Sequence, residues 1–403
     1  MSASAASPSL PIFGLLESSE DPAAVLAVAV DHFRQSRLPM ELFEAIKMRV
    51  RHDLGLPLIA GEDDPAASDE VERQLENGLL EGCRESGRML AEEGRIMEAW
   101  MYLRPVAEEP FVREIFNQIE IDDENFETLL QILLHEGVDV GRGYAAVLER
   151  QGTCNSITLY EQQIVGRSKE DRQICAKLLL KHFYKELSDV VAADISRRDK
   201  EHPETVNEDG SRQDLEQMLS KRRWVMKDGG YHLDTTHLAA AVRLAGVLDD
   251  PEAWRLARQL IGYGRQLSPE FQYPGEEPFT TFYPTYAMYF DVLMGRDVST
   301  GLAFFERKAK EVDSSVHGAA SIETYVDLLS RIGRFEMAIR AAVELAPDDL
   351  PSQRVVVMLL DVAKRAGAPS IYEPILEYCR SKNDVLGFGA VRHAQLQAAS
   401  GDV

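Results

Sequence analysis

Apolar residues recur at spacings of three and four along nearly the whole chain, the period that gathers them on one side of an α-helix. From Asp21 onward, Val25, Leu26, Val28, Ala29 and Phe33 form one such stripe; after Pro39, Leu42, Phe43, Ile46, Val50 and Leu54 form a second. These two segments read as a helical hairpin. Leu75, Leu79, Leu80, Cys83 and Met89 continue the pattern, and Leu129, Leu130, Ile132 and Leu133 mark a further helix. The longest expected helix runs from Ile174 to Ile195, with Ile174, Leu178, Leu179, Phe183, Leu187, Val190 and Val191 on one side and no internal proline or glycine. Alternating β-branched runs are almost missing, and no Asn-Gly or Asp-Gly turn separates two of them. The expected fold class is all-α.

Two polar stretches interrupt the helices. Residues 61–70 are rich in Asp, Ser and Ala, and 197–212 is dense in charge with a single valine as its only aliphatic residue. Neither holds enough apolar surface to offset the entropy of ordering, so both are expected as exposed loops. The expected organisation is a flexible N-terminus over 1–20, a helical region over 21–196, a charged loop or hinge over 197–212, and a second helical region over 213–403.

Charge narrows the partners. Sixty-seven acidic residues against 44 basic ones leave a formal charge of -23, a field that repels polyphosphate and anionic lipid. Neither a nucleic-acid nor a membrane partner is expected. The densest cationic run, Lys221, Arg222 and Arg223, reads as a solvated helix end. No stretch reaches the roughly 18 unbroken apolar residues that cross a bilayer, and the N-terminal segment lacks the basic and apolar parts of a secretion signal. The four cysteines, Cys83, Cys154, Cys175 and Cys379, form no C-x-x-C pair, so free thiols in a cytoplasmic protein are expected.

One turn recurs. Gly333, Arg334, Phe335, Glu336, Met337, Ala338 and Ile339 follow an apolar helix (Ile322, Tyr325, Val326, Leu329) and open another (Ala342, Val343, Leu345) before Pro347. Weaker forms begin at Gly94, Gly295 and Gly367, and the last three turn glycines stand 38 and 34 residues apart. The Gly333 unit resembles a tetratricopeptide-type repeat, with glycine for the reversal, an aromatic at the corner and alanine where the helices approach. The resemblance covers about residues 285–400 and an isolated turn near Gly94. It implies an α-solenoid of stacked antiparallel hairpins, in two halves here, whose concave face binds a peptide or protein. It implies no chemistry and no cofactor.

Residues that carry chemistry in other folds are sparse here. Asp234 is placed to cap a helix beginning near Thr235, which puts His237 in its first turn and His232 outside it. His182 and Glu186, four apart on the long helix, share a face. Together His182, Glu186, His232 and His237 would make the shell of a zinc or iron enzyme, the alternative to a binding protein. Gly152 to Thr158 is a compact polar turn holding Cys154, and Gly141, Gly143 and Ala146 match a relaxed dinucleotide motif with no strand before it. Finally, eight aromatics crowd residues 271–290 between prolines. Tyr231, Phe279, Tyr283 and Tyr286 are the candidate recognition surface, with core packing as the competing use. The expectation is a non-enzymatic protein-binding module.

Overall fold

A computed structural model of the protein describes residues 11–61, 68–106, 110–201, 205–207, 209–347 and 350–400. The described residues form twenty α-helices with short 3-10 and π turns and no β-strand; two isolated antiparallel bridges, Val206 with Arg212 and Pro274 with Thr281, are the nearest approach to one. The all-α expectation holds. The chain divides into two compact units, Met1–Glu149 and Arg150–Val403.

In the first unit, helices Pro22–Gln35, Pro39–Asp53, Asp69–Glu92 and Ile96–Leu103 pack in chain order, each against the next. Asp21 starts the first by accepting from the Ala23 and Ala24 N–H groups at 3.4 and 3.2 Å, with Pro22 preset in the opening turn. The apolar stripes read from the sequence turn inward: Val30, Leu42, Ile46 and Met89 form one cluster, and Leu90, Trp100, Leu103, Phe116, Leu129 and Leu133 another. Burying a Leu or Ile side chain contributes roughly 1.5–3 kcal/mol, which short helices need to persist in water.

The second unit is built on the 30-residue helix Lys169–Arg198. Ser168 caps it by accepting from the Asp171 N–H at 3.1 Å; Glu170 and Asp171 in the first turn and Arg197 and Arg198 in the last oppose the helix dipole. Cys175, Leu179, Phe183, Leu187, Val191 and Ile195 are its buried row, whereas Ile174 at the expected edge of that row is 40% exposed. Helices Leu215–Lys221, Thr235–Ala245 and Pro251–Gly264 pack against this rod. Phe282–Leu293, Val298–Glu311, Ala320–Arg331, Phe335–Leu345, Ser352–Ala366, Glu373–Ser381 and Val385–Ser400 follow, each touching near neighbours in the chain.

Several described residues of the charged stretch 197–212, expected as a loop or hinge, have partners. Its first two residues end the long helix, Arg212 pairs with Asp189, and Asp199 meets Arg222 at 3.3 Å, all inside the second unit. The division between the two units falls at 149/150, within helix Val140–Leu159, where Gly152 leaves helical backbone at φ 77°, ψ -178°.

The recurring turn has one hydrogen-bond pattern. At Gly94, Gly295 and Gly333 the glycine N–H reaches back three residues and the following arginine N–H reaches back five, as in Arg334 to the Leu329 carbonyl at 2.9 Å. The pattern needs a left-handed residue at the glycine, whose φ is 75° to 77° in all three, a region where side chains are strained.

One charged side chain joins elements distant in sequence. Arg331, its side chain 5% exposed, donates to the Gly246 carbonyl at 2.6 Å, to the Leu248 carbonyl and to the Tyr289 hydroxyl at 2.6 Å, and lies 3.1 Å from Asp249. Its removal leaves the Gly246 carbonyl without this donor and the Tyr289 hydroxyl and Asp249 without their cation, while the Leu248 carbonyl keeps the Trp254 indole N–H at 2.7 Å. Arg331→Met is therefore expected to lower stability by about 2–4 kcal/mol in urea unfolding followed by circular dichroism, with Arg331→Lys losing less; a change below about 0.5 kcal/mol would show that the guanidinium is not the tie.

Candidate functional site

The aromatic segment turns inward. Tyr283 is wholly buried, Tyr286 is 7% exposed, and Phe279 stacks on Tyr286 with ring centres 4.0 Å apart and planes 9° from parallel. Tyr289 packs edge-on and Phe305 at a tilt against Phe279, and burial pushes the Tyr283 and Tyr286 phenols well above their ordinary range. Tyr283 and Tyr286 are thus core residues rather than recognition surface. The physical reason is the prolines' placement: they shape the crossing before helix Phe282–Leu293, while the rings behind them fill the helix interface. Tyr231 alone of the four is largely open, 53% exposed, with its ring tilted over Phe271 at 4.6 Å.

The histidines are placed by separate demands. Asp234 caps helix Thr235–Ala245 as expected, accepting from the Thr236 N–H at 2.8 Å, and His237 sits in the first turn. His232 lies outside the helix and faces Tyr263 and Asp194. The Tyr263 hydroxyl accepts from the His232 backbone N–H at 2.9 Å and donates to Nδ1 at 2.9 Å, which leaves Nε2–H to face Asp194 at 3.4 Å. That pattern is met by neutral imidazole. Burial holds the His232 pKa below 6.5 against the pull of Asp194. Asp194 is itself opposed by burial, but Arg197 at 2.6 Å, Arg198 at 2.8 Å and His232 outweigh that and keep it below the usual aspartate value. These groups border a cleft of about 440 Å³ with Tyr231 and Val225.

Elsewhere on the same unit, Glu186 accepts from the Thr153 hydroxyl at 3.0 Å, and His182 is half-buried on its own helix. Among the described residues, no group of three or more His, Cys, Asp or Glu side chains is arranged to hold a metal ion, so His182, Glu186, His232 and His237 are not brought together as a zinc or iron shell. Cys154 is exposed on the helical turn after Gly152.

A cluster of arginines is invisible as a sequence motif. A groove of about 470 Å³ is formed where helix Leu215–Lys221 and the turn after it meet helix Pro251–Gly264 and the reversal at 294–296. Helix Pro251–Gly264 spends Ala253, Ala257, Leu260 and Ile261 on the core. Its other face carries Arg255, Arg258, Gln259 and Gly262, continued by Arg265 and Gln266. Arg223, Arg296, Leu219, Ser220 and one exposed carboxylate, Glu216, complete the wall. Arg258 is tied to Asp291 at 2.9 Å, and Gln259 is held by the Tyr184 hydroxyl at 2.7 Å. Arg223, Arg255, Arg265 and Arg296 have no carboxylate partner among the described residues, although the chain carries 23 more acidic than basic groups. Of the sequence run 221–223, Arg222 is buried against Asp199 and Gln213, Lys221 is exposed, and only Arg223 lines the groove.

No protein-family model matches this chain, and no curated protein matches it in sequence.

The His232 geometry fixes a pH dependence. A histidine whose folded pKa lies below its unfolded value binds fewer protons folded, so its contribution is whole above about 6.5 and shrinks as pH falls through that value toward the depressed one. The urea midpoint is expected to fall between pH 8 and pH 5.5, and by less in His232→Gln, measured in parallel; equal falls would place the sensitivity elsewhere.

Proposed function

We propose that the protein is a non-catalytic binding module: stacked antiparallel helical hairpins, tetratricopeptide-like over about 285–400, that hold a segment of a protein partner. The observation that carries this reading is the groove whose wall holds five arginines against one carboxylate, Glu216, with four of those arginines in no ion pair among the described residues. A guanidinium left unpaired on an acidic protein has a planar set of donors directed at whatever anion approaches, and several in one groove favour recognition by charge and shape rather than bond-making. Neighbouring helices that prop one another up supply the rigid frame such a groove needs. The described free thiols at Cys83, Cys154, Cys175 and Cys379 suit the reducing cytoplasm, where we place the protein.

The test compares partner capture by the full-length chain with that by Arg255→Glu/Arg265→Glu and by His237→Ala. At least one partner is expected to be lost with the arginine variant and kept with the histidine variant. Stoichiometric zinc or iron that disappears with His237→Ala, together with turnover of a small molecule, would replace this reading by the metalloenzyme one.

A further inference from the structure

We infer that the groove between helices Leu215–Lys221 and Pro251–Gly264 takes a short, extended, carboxylate-rich peptide segment of another polypeptide. This rests on the binding-module reading and names the chemistry of its ligand.

The arginines form a row rather than a cup. Arg255 and Arg265 are ten residues apart along a helix and its first following residue, a span of about 15 Å at about 1.5 Å per residue. An extended peptide covers that distance in four or five residues at roughly 3.3 Å each. Several carboxylates in succession can therefore each meet a guanidinium, whereas a single phosphate engages only part of the row. Gly262 lies between the two ends, and a Cβ built there would meet nothing within 4 Å, so the middle of the wall is low and open to a close-lying backbone. Met294, half-buried at the rim, offers apolar surface to the methylenes of glutamate side chains.

Two features turn the choice away from nucleic acid. No aromatic ring lines the groove, so bases find no stacking platform. The charge of -23 also repels a long polyanion everywhere outside the groove. A short acidic segment avoids most of that repulsion, because in physiological salt the wider field is screened beyond about 8 Å.

The experiment is fluorescence anisotropy with the full chain at low ionic strength. The probes are a labelled octapeptide rich in Glu and Asp and its Gln/Asn isostere, with inorganic phosphate and a single-stranded oligonucleotide as competitors. The acidic peptide is expected to bind at least about tenfold more tightly than the isostere, to weaken by about tenfold in Arg255→Gln/Arg265→Gln, and to resist millimolar phosphate. Equal binding of the two peptides, an unchanged variant, or displacement by phosphate or oligonucleotide at concentrations matching the peptide would overturn the inference. Binding explained by salt-labile self-association of the chain, seen by sedimentation, would overturn it as well. Both arginines are exposed; should the double variant misfold by circular dichroism, Arg296→Gln in the turn gives the same readout. Loss of a captured partner in the arginine variant without any octapeptide binding sinks this inference and spares the module reading; octapeptide binding without any captured partner does the reverse.

Discussion

A helix of ten to fifteen residues is marginal in water on its own, so each helix here depends on the apolar stripe of its chain neighbours. That dependence fixes which side chains are committed and which remain available. Helix Pro251–Gly264 shows the division within one element. Ala253, Ala257, Leu260 and Ile261 are consumed by packing, and the opposite face is left with Arg255, Gln259 and Gly262. The groove is what remains once the core demand has been met. The same logic explains why the aromatic-rich segment 271–290 went inside: large rings are the most effective filler where several helices converge, and exposing them would forfeit that burial.

Charged groups in the second unit are handled in two contrasting ways. Around Asp194, two arginines and an imidazole surround one carboxylate, and Tyr263 closes the far side of the ring. Arg331 is likewise engaged, by two carbonyls and a hydroxyl, with Asp249 nearby. Such closed networks hold a fold in register and offer little to a visitor. Along the groove the balance is open: the arginines outnumber Glu216, the one carboxylate of the wall, and four of them form no ion pair among the described residues. The contrast between closed and open charge, more than exposure alone, distinguishes architecture from recognition on this unit.

The helices were legible because period and caps are local properties. The stripe Leu42, Ile46, Val50 and the Asp234 cap required only a few residues of context, and the Gly-Arg reversals declared themselves through glycine at a place only a left-handed residue fits. The groove was not legible for the opposite reason. Arg223, Arg255, Arg265 and Arg296 come from three segments spread over more than seventy positions, and nothing in their spacing hints that tertiary packing gathers them. The run Lys221, Arg222, Arg223 was misleading in the same way, since adjacent charges parted to solvent, to a buried pair and to the groove wall. The stretch 197–212 reads as solvated from its charge density, while Asp199 and Arg212 find partners within their own unit.

The Gly-Arg reversals carry one more implication. Their geometry is maintained by main-chain atoms and a residue lacking a Cβ, so the arginine side chain that follows owes nothing to the bend itself. At 95 that side chain clasps Glu98, at 296 it borders the groove, and at 334 it extends into solvent. Corners of this sort let a lineage exchange one external residue for another while the scaffold beneath is undisturbed, so ligand preference can drift by single codon changes at positions that folding does not police.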